Sequence, residues 1–136
     1  GNKLVIYDFN DDIISEYTEE FTNYEIFDKK FIIVTNKNIK KIINKDGKIL
    51  INGTQIKVSN DNKYVLVDNA VYDNNLNKVY VLDFTGNFEY FAEFGNDLLI
   101  IEPYEKESKS IVVDLINKKV SWEILKILLY IITMKE

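Results

Sequence analysis

Ala70-Val71-Tyr72-Asp73-Asn74-Asn75-Leu76-Asn77-Lys78-Val79-Tyr80-Val81-Leu82 decides the fold: a short β-branched and aromatic run ends in Asp, crosses an Asx-rich turn and re-emerges as a second apolar run. Val, Ile and Tyr suit a pleated, half-buried surface, and Asp and Asn hydrogen-bond their own backbone in turns, so the stretch predicts two strands joined by a tight turn. The same phrase stands at Val5-Ile6-Tyr7-Asp8, at Ile42-Ile43-Asn44-Lys45-Asp46-Gly47 and at Ile111-Val112-Val113-Asp114, with spacings of 36, 29 and 41 residues. A second phrase, a polar turn before an apolar run, alternates with it. It reads Asp28-Lys29-Lys30 before Phe31-Ile32-Ile33-Val34, Asp61-Asn62-Lys63 before Tyr64-Val65-Leu66-Val67, and Gly95-Asn96-Asp97 before Leu98-Leu99-Ile100-Ile101, and it returns after 33 and 34 residues. Recurrence at such periods marks a repeated supersecondary unit.

Reading outward from these phrases gives strands at about 4–7, 13–17, 24–27, 30–35, 39–43, 48–51, 55–58, 64–67, 70–72, 78–83, 88–93, 98–101, 110–114 and 120–125. Asp46-Gly47 and Asn52-Gly53 offer residues that tolerate positive φ at hairpin tips, and Asn60-Asp61-Asn62 and Asn74-Asn75 are Asx-turn material. Strands at this even spacing make an all-β chain of antiparallel four-stranded units, with a short C-terminal helix or last strand to finish the core. The expected organisation is a single repeat domain over residues 1–136 with units at 4–38, 39–69, 70–109 and 110–125 and an apolar segment at 122–136. Phe31, Ile33, Tyr64, Leu66, Leu98 and Ile100 are expected at equivalent places in successive sheets.

On these residues the chain resembles a β-propeller, in particular the bladed repeats of surface-layer-like proteins, over residues 3–125. In that repeat a strand ending in Asp (Tyr72-Asp73) turns into a strand (78–82), crosses through another (88–93) and returns by a turn (Gly95-Asn96-Asp97) into a buried run (98–101). The resemblance implies blades of a propeller or partial propeller. Three and a half units fall short of the four blades of the smallest usual propellers, and an unclosed stack exposes its end faces. A longer chain, a second copy, or a sheet that curls into an arc or sandwich would cover them.

Composition narrows the function classes. The 136 residues suffice for one core, being 46% hydrophobic and 13% aromatic with one Pro and five Gly. A net charge of -5 argues against nucleic acid and anionic membrane partners, which are gripped by clustered positive charge. There is no Cys, His or Arg, all 17 basic residues being Lys, which removes disulfides, thiolate and imidazole ligands, the neutral-pH proton shuttle and the guanidinium fork. Codon bias in an AT-rich genome gives the same Lys-, Asn- and Ile-rich profile. The chain as written opens Gly1-Asn2-Lys3-Leu4 without a charged-then-apolar leader, so a cytoplasmic chain and a secreted chain with its leader removed both stay open. No cofactor is expected.

Candidate sites are few. Asp8, Asn10 and Asp12, and likewise Asp73, Asn75 and Asn77, alternate oxygen groups as calcium loops do, but the loop's sixth position holds Ile13 or Lys78 where Gly belongs, so both are read as turns. Adjacent acids such as Asp11-Asp12 and Glu19-Glu20 would suit glycoside chemistry and are equally the solvated surface of an acidic chain. Phe88, Tyr90 and Tyr104 form the candidate aromatic platform, with alternation sending Phe91 to the face opposite Phe88 and Tyr90. The uninterrupted apolar run Ile127-Leu128-Leu129-Tyr130-Ile131-Ile132 is too short to span a membrane and is either core or an interface centred on Leu128 and Ile131. The first expectation is a non-enzymatic interaction or scaffold module with a protein partner or self-association. A carbohydrate-binding or -cleaving domain and an acidic immunity- or inhibitor-type protein for a basic partner are the alternatives.

Overall fold

The computed structural model describes residues 3–8, 10–83, 90–104 and 109–125, with backbone alone at 109 and 122–125. Among them run fourteen strands and no helix: β1 (Leu4–Tyr7), β2 (Ile13–Tyr17), β3 (Asn23–Phe27), β4 (Phe31–Asn36), β5 (Ile39–Ile43), β6 (Ile49–Gly53), β7 (Ile56–Val58), β8 (Tyr64–Val67), β9 (Ala70–Asp73), β10 (Lys78–Val81), β11 (Tyr90–Gly95), β12 (Leu98–Pro103), β13 (Lys109–Asp114) and β14 (Lys119–Leu125). They make one two-stranded sheet, β1-β2, and three four-stranded sheets ordered β3-β4-β5-β6, β7-β8-β9-β10 and β11-β12-β13-β14. Every four-stranded sheet is a meander in chain order, so the fold is all-β and propeller-like in its blade topology. The C-terminal segment, with Leu128, Ile131 and the expected short helix, lies outside the described residues, as does Phe88. No helix among the described residues is long and apolar enough to cross a membrane.

The second phrase supplies the second strand of every full sheet: β4, β8 and β12. The turn before β4 is of type I′, with φ of 51° at Asp28 and 57° at Lys29 and a bond from the Lys30 amide to the Phe27 carbonyl of 3.1 Å. In β12 the deeper face is carried by Leu99 and Ile101, while Leu98, one of the residues expected in equivalent positions, is 40% exposed.

The first phrase supplies the link from third to fourth strand, and it is built alike each time. Asp8 Oδ1 accepts from the amides of Asn10 (2.8 Å) and Asp12 (3.0 Å), Asn44 Oδ1 from Asp46 and Lys48 (both 3.0 Å), and Asp73 Oδ1 from Asn75 and Asn77 (both 2.9 Å). Three residues past each acceptor the chain enters the left-handed region, at Asp11 (φ 64°), Gly47 (φ 78°) and Leu76 (φ 61°). Asp114 heads a fourth turn, accepting from Ile116 and Asn117 at 3.0 Å each, with the left-handed residue one place later at Lys118 (φ 56°). A register shift accompanies each turn: the pairing skips Ile14, Leu50, Val79 and Ser121. That extra residue is a β-bulge, which reverses the alternation of side chains beyond it and sharpens the strand's twist. By turn and bulge alike, β1 and β2 correspond to the third and fourth strands of a full sheet.

The expectation of a hairpin tip at Asn52-Gly53 is corrected: both residues lie in β6, where Asn52 pairs with Lys41 and Gly53 with Lys40. Gly53 is there for space. A Cβ on it would stand 2.6 Å from Cγ1 of Val67, so the backbone passes too close to β8 for any side chain.

The chain divides into two compact units, Gly1–Val58 with Val65–Asp68, and Ser59–Tyr64 with Asn69–Glu136. In the first, one face of the β3–β6 sheet packs Ile32, Val34, Ile43 and Ile49 against Tyr17, Phe21 and Leu4. Its other face buries Phe27, Ile33 and Ile42, so the sheet is apolar on both sides. Burial of each such side chain stabilises by roughly 1.5–3 kcal/mol. Within the same unit Asp68 Oδ1 binds the amides of Thr54 (3.1 Å) and Gln55 (3.0 Å) and the Thr54 hydroxyl (2.8 Å), fixing the link from β6 to β7. In the second unit the cores of the strands are Val71 in β9, Leu99 and Ile101 in β12, and Val112 and Val113 in β13, with Leu115 beyond it. Sequence phrase and hydrogen bonding divide a repeat at different points, so the unit boundaries at 39, 70 and 110 and the sheet boundaries need not coincide.

Candidate functional site at an open strand edge

The third strand of a full sheet has two neighbours, as β5, β9 and β13 do, whereas β1 pairs with β2 alone. Leu4, Val5, Ile6 and Tyr7 therefore present one row of backbone donors and acceptors to no strand among the described residues. Beside this edge lies a groove of about 470 Å³ lined by Lys3, Leu4, Val5 and residues 21–24. The far wall is set locally. Thr22 gives its amide and hydroxyl to the Thr35 carbonyl (2.7 and 3.1 Å), and the Asn23 side chain caps the Tyr24 amide at 2.8 Å. Phe21 meets Tyr24 edge to face, centroids 6.5 Å apart and planes at 81°. Tyr24 and Ile26 on β3 are more than half exposed, as are Tyr7 and Ile13 on the two-stranded sheet. An open edge, an apolar wall and one Lys is the chemistry of a slot for an extended, apolar peptide.

Phe21 also lines a smaller cavity of about 50 Å³ with Tyr17, Glu20, Val34, Asn36, Ile39 and Lys41. At its rim Glu19 Oε2 accepts from the Tyr17 hydroxyl (3.0 Å) and pairs with Lys41 Nζ (2.8 Å). The bond to Lys41 holds the Glu19 carboxyl below its ordinary range and raises Lys41, while burial, with the bond to Glu19 second, pushes the Tyr17 hydroxyl up. The buried Oδ1 of Asn36 has no protein partner. A space this small and polar suits a water and not a substrate.

In the second unit Asp97 Oδ1 accepts from the Tyr64 hydroxyl at 2.7 Å and from Lys63 Nζ at 3.2 Å, and the Tyr64 ring stacks on Phe94 at 6.1 Å and 9°. Burial first, then the bond to Asp97, pushes the Tyr64 hydroxyl up to about 12, and the same hydroxyl with Lys63 lowers Asp97. Ser59 completes this corner, donating to Asp61 at 2.7 Å and accepting the Tyr64 amide at 3.0 Å. These groups brace turns. Their protons are held far from neutral pH.

The residues singled out from sequence have mostly backbone work. Asp8 and Asp73 spend Oδ1 on backbone amides, and Asn10, Asp12, Asn75 and Asn77 are the residues whose amides they take. No group of three acidic, His or Cys residues disposed to hold a metal occurs among the described residues. Tyr90 is half-buried and pairs with Pro103. Tyr104 meets Phe91 instead, edge to face at 4.4 Å and 76°. The signal for that contact was alternation: Phe91 pairs with Glu102, and Tyr104, two residues on, keeps to the same face. The groove wall at residues 21–24 lies in a link that no repeat phrase covers, and sequence reading missed it.

No family model matches this chain, and no curated protein sequence matches it. Among solved structures it is similar to the crystal structure of BamB from Moraxella catarrhalis, at 13% identity and a TM-score of 0.49, over 89% of this chain and 46% of that one. The chain thus spans under half the length of that neighbour, a likeness that assigns it neither partner nor activity.

Proposed function

We propose that this chain is a non-enzymatic protein-interaction module that takes an extended, apolar segment onto the free edge of β1. The observation that carries this is the single neighbour of β1, a strand whose counterparts β5, β9 and β13 each have two. Strand addition gives affinity through main-chain hydrogen bonds and selectivity through alternate side chains, and both are provided: an unpaired edge, and a groove walled by Leu4, Val5, Phe21 and Tyr24. The repeat is read as the bladed kind found in surface-layer-like proteins, supported by the strand-to-Asp turn that closes each sheet. The catalytic inventory supports a binding role, since the chain contains no His, Cys or Arg.

The test is an amide-resolved NMR titration with a lysine-flanked peptide carrying the sequence of β4, Phe31–Asn36, as the probe. Shifts concentrated in residues 4–7 and 21–24 are expected. Saturating peptide that moves no β1 amide overturns the proposal.

A further inference from the structure

We infer that the free edge of β1 is filled by residues 127–132 of a second copy of this chain, each copy completing the other's two-stranded sheet. The inference rests on the interaction reading above and names its partner. It begins with the correspondence of β1-β2 to the second half of a full sheet, fixed by the Asp8 turn, the left-handed Asp11 and the skipped Ile14. What such a sheet lacks is a second strand.

The chain itself shows what a second strand must be. β4 buries Ile33 and Val34, β8 buries Val65 and Leu66, and in each these are neighbours in sequence that point to opposite faces. A second strand is therefore apolar at both parities over four or more residues. Outside the described residues the chain has Phe84-Thr85-Gly86-Asn87-Phe88-Glu89, Glu105-Lys106-Glu107-Ser108 and the C-terminal residues 126–136. Only the last contains such a run, Ile127-Leu128-Leu129-Tyr130-Ile131-Ile132, six residues as in β4 and β12. Each copy holds one open edge and one such run, so a reciprocal two-fold pairing satisfies both edges at once. An apolar run left in water beside an unpaired strand is the alternative, and such edges recruit other chains.

The full chain, of 16.0 kDa per copy, is followed by light scattering over a dilution series alongside amide exchange read by mass spectrometry. The expected result is a mass of two copies, with amides at residues 4–7 slowed by about tenfold or more and losing that protection on dilution together with the dimer. Leu128→Asp with Ile131→Asp gives a monomer in which residues 4–7 exchange freely while residues 39–43 stay protected. If that variant unfolds, the dilution series of the unaltered chain still decides. A monomer at every concentration overturns the inference, whether its β1 amides are protected or free, and so does a dimer with unprotected β1 amides. A monomer whose β1 edge still takes the β4 probe peptide would overturn the inference and leave the interaction reading standing; absence of both would end both.

Discussion

Between β1 and β2 the Asp8 carboxylate takes two amides at 2.8 and 3.0 Å, and between β5 and β6 the Asn44 amide oxygen takes two at 3.0 Å, with the same bulge beyond each turn. The settings differ. Ile43 before the second turn is 0% exposed, whereas Tyr7, its counterpart before the first, is 56% exposed. The turn is thus made by its own hydrogen bonds and needs no sheet around it, while burial is given to a strand by its neighbours. Composition tracks this, for β5 carries Ile42 and Ile43 side by side, both wholly buried, because both of its faces are covered.

Substitutions can break or sharpen this contrast. Ile43→Ala should cost about 2–5 kcal/mol in chemical denaturation, as deletion of buried methylenes does, while Ile13→Ala at an exposed site of β2 should stay within about 0.5 kcal/mol. Equal costs would mean that the two-stranded sheet is covered after all. Gly53→Ala comes next, at about 1–3 kcal/mol from overpacking against Val67, and adding Val67→Ala should return part of it; a neutral Gly53→Ala would show that β6 and β8 can part. Asp8→Ala and Asn44→Ala should each cost about 1 kcal/mol and, more tellingly, the same amount. A larger loss at Asn44 would show that burial helps to make the turn. Leu76→Gly should raise stability by about 0.5–1 kcal/mol by relieving a left-handed non-glycine, where Gly47 already has that relief; a lowered melting temperature would refute this.

The smallest effect lies in acid. Asp114 is held below the ordinary carboxylate range by the Asn117 amide, then by the Asn117 side chain. A lowered folded value means that its contribution is complete above the ordinary aspartate value and is lost as pH falls through the folded one. Asp114→Asn should flatten that acid limb, since Asn44 supports its turn with no titrating group. An unchanged slope of melting temperature against pH below about 4 would contradict the assignment.

The strands were legible because Val, Ile, Tyr and Phe alternate with Asx turns whose acceptors, Asp8, Asn44, Asp73 and Asp114, sit where the sequence phrase put them. The uneven counts of the two phrases, four against three, already held the half-sheet. Other features left no local mark. Gly53 reads as a turn glycine because Asn-Gly is a hairpin signal, and only the approach of Val67, fourteen residues on, shows why a side chain is barred. The groove escaped for the same reason: Phe21 and Tyr24 face β1 across a gap of some seventeen residues, and no periodicity links them. Bulges at Leu50 and Val79 also reverse the face of the residues beyond them, so alternation counted straight through β6 and β10 gives the wrong side.

The meander order has a consequence in time. Each full sheet pairs only strands adjacent in the chain, so it can close as soon as its last strand has been made, with short loops and little entropy lost. β1 has no such early partner. It is synthesised before every other strand and waits, edge open, through the formation of all of them, which makes Leu4–Tyr7 the stretch of this chain most exposed to wrong pairing during folding.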